Sequence, residues 1–97
     1  MNDYNKFMIE QSEKERLNRI ELFKDIFCDI LKDLRKEKRL SQKQIAFKLG
    51  VAVSTYANWE QGRREPSIYD IYNLMWCYEI DANELFPLDL TKYIKKP

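Results

Sequence analysis

Three groups of side chains in the middle of this sequence have types and spacings suited to recognition. Ser41 and Gln42 stand together after Leu40. Val53, Ser54, Ala57, Asn58 and Gln61 recur at alternating steps of one and three, so a helix through them presents one face free of carboxylates. Arg63 and Arg64 follow at once. Hydroxyl, amide and guanidinium groups of this kind exchange hydrogen bonds and neutralise anions. Covalent chemistry is not expected of them: the chain has no His, which removes the commonest general base and metal ligand. Its two cysteines, Cys28 and Cys77, form no C-x-x-C pair, so no metal site is expected. Two glycines, Gly50 and Gly62, are too few for either common phosphate-cradling loop. The chemistry implied is binding. No catalytic residue and no cofactor site is assigned, and an enzyme is not expected.

The distribution of charge narrows the partner. The net charge is only +1. Between Leu34 and Pro66, however, Arg35, Lys36, Lys38, Arg39, Lys43, Lys48, Arg63 and Arg64 face only Glu37, Glu60 and Glu65, and the flanks are acidic. A basic middle of this kind suits a polyanion such as DNA. An ordinary solvated helical surface gives the same pattern. No apolar run approaches the ~20 residues that span a bilayer, and no secretory leader is apparent, so no membrane partner and a cytoplasmic location are expected. The thiols would stay reduced there and read as small core residues.

A chain of 97 residues with 2 Gly and 3 Pro is expected to form one all-α domain. Residues 1 to about 11 are polar and read as a tail. Ser12 with Glu15 matches a capping box, which places a helix start there. Leu17, Ile20, Phe23, Phe27, Ile30 and Leu34 form one helical stripe, so a long first helix runs to about Lys38. It serves either its own core or a dimer seam. Ser41 with Gln44 starts a second helix, with Ile45, Ala46 and Leu49 inward, and Gly50 stops it. A third helix spans Val53 to Gln61, with Tyr56 and Trp59 inward and Gly62 as its stop. Ser67 with Asp70 opens a fourth, whose inner face is Ile68, Ile71, Leu74, Met75 and Tyr78. Asp81 with Glu84 opens a short fifth, ended by Pro87. The expected division is a tail and start of the long helix over 1–16, the domain over 17–88, and a tail over 89–97 with a weak strand signal.

Two short helices joined at a tight Gly turn, over about 41–61, form a helix-turn-helix. The first can offer its N-terminal N–H groups to a phosphate, and the second fits the major groove. The stretch Leu34 to Pro66, with Leu34-Arg35, Leu40-Ser41-Gln42, Ala46, Leu49-Gly50-Val51, Ser54-Thr55, Glu60, Gly62 and Pro66, resembles the Cro/phage-repressor (XRE) type of helix-turn-helix protein. The likeness extends from about residue 26 to 87. It implies a five-helix, lambda-repressor-like domain with an extended first helix and short terminal tails.

The resemblance also implies roles. Val53, Ser54 and Asn58 stand where the family reads bases. Ser41, Gln42, Thr55, Arg63 and Arg64 stand where it meets the DNA backbone. Arg35 and Glu60 match an internal salt bridge. Two positions depart from the pattern: Ala52 replaces the usual Ser or Thr helix cap, and Arg39 stands where Gly is frequent. The function expected is a sequence-specific DNA-binding regulator, a repressor acting as a homodimer on an inverted repeat. The fifth helix with Phe86 and the Leu88–Ile94 tail, or the long first helix, would supply the pairing surface. The alternative is a protein-interaction module, an antitoxin or adaptor that docks a partner through its tails.

Overall fold

In the computed structural model, which describes residues 3–94, the chain is all helical. The helices are α1 (Asp3–Glu37), α2 (Gln42–Leu49), α3 (Val53–Glu60), α4 (Ile68–Tyr78) and α5 (Ala82–Leu85), followed by a 3₁₀ turn at Thr91–Tyr93. The 35 residues of α1 set the long axis of a molecule measuring 55 × 30 × 22 Å. Only the C-terminal half of α1 reaches the core, through Ile26, Phe27, Ile30, Leu31 and Leu34. Its N-terminal half is an arm that leaves Tyr4, Phe7, Met8, Ile9 and Leu17 exposed.

Ile45, Ala46 and Leu49 of α2, Tyr56 and Trp59 of α3, Leu74 and Tyr78 of α4, and Leu85 of α5 complete the core. Each large apolar side chain sealed this way contributes about 1.5–3 kcal/mol. Phe86 stacks on Phe23 and Phe27, with ring centroids 5.5 and 6.0 Å away, so α5 is clamped to α1.

The local signals set three of the helix starts. Ser41, Ser67 and Asp81 each close a complete capping box. Gly50, at φ 75°, and Gly62, at φ 73°, both adopt the left-handed conformation expected of them. A Cβ on Gly62 would also lie 3.2 Å from the Cys28 sulfur. Asn73 Nδ2 donates to the Leu49 carbonyl at 2.8 Å, so α4 satisfies an open carbonyl at the end of α2.

Three expectations are corrected. The first helix begins at Asp3, not at Ser12. No Gly or Pro interrupts residues 3–11, and extending a helix is far easier than nucleating one, so Ser12 is simply helical. Ile68 is 77% exposed and belongs to the outer face of α4. The tail forms a 3₁₀ turn where a strand was suggested: Asp89 Oδ1 accepts from the Thr91 N–H at 3.0 Å, while Leu90 and Tyr93 pack on the core. Arg39, which stands where the resemblance favours Gly, does take the left-handed backbone, at φ 58° after α1, a conformation that costs a non-glycine residue on the order of 1 kcal/mol.

Candidate nucleic-acid interface

The site is built on a buried ion pair. Glu60, the last residue of α3, is 1% exposed. Arg35 reaches it from α1 with both arms of its guanidinium, Nε donating to Oε2 at 2.7 Å and Nη2 to Oε1 at 3.1 Å. The remaining nitrogen, Nη1, donates to the Leu40 carbonyl at 3.0 Å. One side chain therefore ties α1, the loop before α2, and the end of α3. Burial pushes the Glu60 carboxyl up, but hydrogen bonds from Arg35, Tyr56 and Gln42 outweigh it and hold the group below its ordinary value. The same pair raises Arg35, chiefly through the hydrogen bond to Glu60. This is the salt bridge that the resemblance implied.

Gln42 opens α2, and its Nε2 donates to Glu60 Oε1 at 3.1 Å. An amide nitrogen carries two hydrogens, so this bond orients the group and leaves a second N–H and the carbonyl oxygen. Ser41 caps the same helix end. Its Oγ accepts from the Gln44 N–H at 3.0 Å, and its own N–H donates to Gln44 Oε1 at 2.8 Å. A helix N-terminus with free amides, a hydroxyl and an oriented carboxamide offers donors to a phosphate.

On α3, Val53 and Ser54 are exposed, and Thr55 and Asn58 are half-buried. Ala52 takes the cap position with extended backbone and makes no side-chain cap bond. Arg63 and Arg64 are exposed, and both of their backbone N–H groups donate to the Asn58 carbonyl, at 3.0 and 3.4 Å. The chain leaving α3 is thereby folded back on the helix that carries Asn58. The structure thus brings Ser41, Gln42, Arg35 and Glu60 together at one junction. It places Val53, Ser54 and Asn58 along α3 and the two arginines at its end.

Two features were not anticipated. Tyr56 and Tyr78 bury their hydroxyls against each other at 2.8 Å. The outer face of α4 carries an exposed stripe of Ile68, Tyr69, Tyr72 and Trp76. Their spacing of three and four residues was visible in the sequence, but α4 is apolar nearly all round, and the inner stripe absorbed the signal.

A family model described as "Helix-turn-helix" matches residues 31–83. The chain is 25% identical over 83 residues to the uncharacterized HTH-type transcriptional regulator YobD of Bacillus subtilis (strain 168), covering 74% of each. It is 32% identical over 60 residues to the cryptic phage CTXphi transcriptional repressor RstR of Vibrio cholerae, covering 62% of this chain and 54% of that one. The chain thus spans about half the length of RstR. Among solved structures it is similar to the restriction-modification controller protein C.AhdI from Aeromonas hydrophila, with a TM-score of 0.61 and 36% identity over 69% of this chain and 98% of that one.

Proposed function

The chain belongs to the helix-turn-helix family of XRE type, and on that premise we propose that it is a DNA-binding transcriptional regulator acting as a repressor on an inverted-repeat operator. The observation that carries this reading is the carboxylate-free face of α3, held at a fixed angle to the N-terminus of α2 by the Arg35–Glu60 pair. In the proposed complex α3 enters the major groove. Asn58 pairs with a base edge, Ser54 reads beside it, and Val53 packs on a thymine methyl. Ser41, Gln42, Thr55, Arg63 and Arg64 hold the sugar-phosphate backbone. Direct readout from three side chains is thin, so DNA shape supplies part of the specificity. Repression works by occupancy and needs no catalysis. No described helix is long and apolar enough to cross a membrane, and the reading places the protein with DNA in the cytoplasm.

One such domain covers a half-site, so the reading requires a second copy about 34 Å away along one face of the duplex. The stripe on α4 is the surface we assign to that pairing. Its four side chains offer about 600 Å² on each copy and about 1,200 Å² over a symmetric pair, the lower limit of a specific interface. Asp70 is the only charged residue of α4, so two copies can meet without repulsion across the stripe. Phe86 is occupied by Phe23 and Phe27 of its own chain.

The role assignments separate in a binding experiment. Arg63→Ala with Arg64→Ala is expected to weaken binding on all sequences and to reduce the salt slope by about 2. Asn58→Ala is expected to cost about 1–3 kcal/mol on the preferred site and little elsewhere. Equal losses on preferred and random duplexes for both variants would contradict these roles. The exposed arm residues Tyr4, Phe7, Met8 and Ile9 favour a second reading, a module that docks a protein partner. Under it DNA binding is absent and substitutions in the arm abolish partner capture.

A further inference from the structure

Side chains of α4 close the C-terminal end of α2. The last four carbonyls of a helix lack partners within it. In α2 these belong to Ala46, Phe47, Lys48 and Leu49. The turn serves the first two: the Gly50 N–H donates to the Phe47 carbonyl at 3.2 Å, and the Val51 N–H to the Ala46 carbonyl at 3.1 Å. The other two are met from α4. Asn73 Nδ2 donates to the Leu49 carbonyl at 2.8 Å, and the Cys77 thiol, a weak donor, lies 3.6 Å from the Lys48 carbonyl. The same sulfur lies 3.7 Å from Asn73 Oδ1 and helps to hold the amide.

Asn73 also stands beside the exposed stripe. Tyr72 precedes it and Trp76 follows three residues later, so one turn of α4 carries the stripe outward and the half-buried amide inward. Leu49 ends α2 and Val53 begins α3, so the amide meets the helix-turn-helix at its turn. Leu74 and Tyr78 pack α4 on the core, but apolar burial is non-directional. A hydrogen bond weakens steeply with angle. Packing thus sets how near α4 lies, and the Asn73 bond sets how it is turned. We propose that Asn73 is a positioning residue that fixes half-site spacing: its bond to the Leu49 carbonyl locks the recognition helix to the pairing helix, so that two copies of α3 keep one separation and one relative rotation. The proposal deepens the DNA-binding reading and rests on it, and on pairing through α4. Asn73 touches no DNA in this arrangement.

One extra base pair between half-sites moves them apart by about 3.4 Å and turns them by about 35° about the duplex axis. A pair with a rigid joint loses its second half-site on such a duplex, whereas a pair with a loosened joint swivels and keeps part of it. The bond penalises a wrong spacing by no more than its own strength, which corresponds to about three- to tenfold in affinity.

The test uses an inverted repeat selected from a random pool by the wild-type protein, the same repeat with one base pair inserted at its centre, and a single half-site. Affinities are read by fluorescence anisotropy. The wild type is expected to bind the selected repeat at least ~100-fold more tightly than the lengthened one. In Asn73→Ala that ratio should fall about three- to tenfold, while half-site affinity stays within a factor of about 2 of wild type. Ser67→Ala removes the cap of α4 and leaves the Asn73 bond in place, so it should lower the melting midpoint and leave the ratio unchanged. A merely structural role would give Asn73→Ala the Ser67→Ala pattern. That outcome overturns the proposal, as does an equal loss on repeat and half-site, or a wild type indifferent to spacing. If Asn73→Ala fails to fold, Asn73→Asp, which keeps the shape and loses the donor, takes its place. A wild-type protein that selects no repeat overturns the DNA-binding reading, and the proposal with it. A dimer that survives Tyr72→Glu with Trp76→Glu moves the pairing off α4 and overturns the proposal as well. A selected repeat and a dimer that needs the stripe, with an unchanged ratio in Asn73→Ala, overturn the proposal only.

Discussion

Glu60→Ala is expected to destabilise the fold by about 3–5 kcal/mol, a large share of the roughly 5–15 kcal/mol that holds a domain of this size together. The loss has two parts. The carboxylate disappears from a junction of α1, α2 and α3, and the Arg35 charge stays behind with one carbonyl for company. Arg35 retains 17% side-chain exposure, so partial hydration places the expected value near 3 kcal/mol. A thermal melt should show a midpoint lower by roughly 15 °C.

The pH dependence follows from the same pair. Glu60 titrates below its ordinary value of 4.5 in the folded protein, so at moderately acid pH the unfolded chain binds the extra proton. Its contribution is complete above about pH 4.5 and is lost as pH falls through the lower, folded value. Glu60→Gln keeps the shape and abolishes that part of the acid sensitivity. A variant that melts within a few degrees of wild type, with an unchanged acid limb, would show that the pair is not a stabilising element.

The second large effect concerns assembly. Tyr72→Glu with Trp76→Glu should leave the fold intact, because the two side chains are 67% and 73% exposed. A two-fold axis through the stripe would set each new carboxylate against its symmetry mate. Sedimentation is then expected to report a dimer for the wild type and a monomer for the double variant. Affinity for a full inverted repeat should fall by at least ~100-fold, because linked half-sites raise apparent affinity by that order. Affinity for an isolated half-site should stay within a factor of about 2 of wild type. A dimer that survives the double substitution, with repeat binding intact, would move the pairing surface to the α1 arm or the C-terminal tail.

How much of this was legible depended on the range of the interaction. Capping is local, so Ser41 with Gln44, Ser67 with Asp70, and Asp81 with Glu84 marked true helix starts. Ser12 with Glu15 has the same form and marks nothing, because a pattern of four residues carries no information on whether the preceding turn is already helical. Gly50 and Gly62 were legible for the same local reason. The Arg35–Glu60 pair came from resemblance, since a separation of 25 residues has no periodicity to betray it. The tie from Gln42 to Glu60 and the Tyr56–Tyr78 contact required the packed structure. Periodicity assigned both tyrosines to the core correctly but says nothing about where a hydroxyl on a buried ring points. Ile68 was misplaced because it opens a helix that is apolar on two faces, and only tertiary packing decides which face turns inward.

In the proposed complex α3 reads DNA sequence from a symmetric pair of domains. The decisive experiment is selection of bound duplexes from a random pool near physiological salt, with the wild type run beside Ser54→Ala combined with Asn58→Ala. The wild type is expected to enrich an inverted repeat with half-site centres about 10–10.5 base pairs apart, or a multiple of that spacing, and the double variant to fail to enrich it. A pool that stays random for the wild type, with only weak and salt-sensitive retention, would mean that α3 does not read DNA sequence.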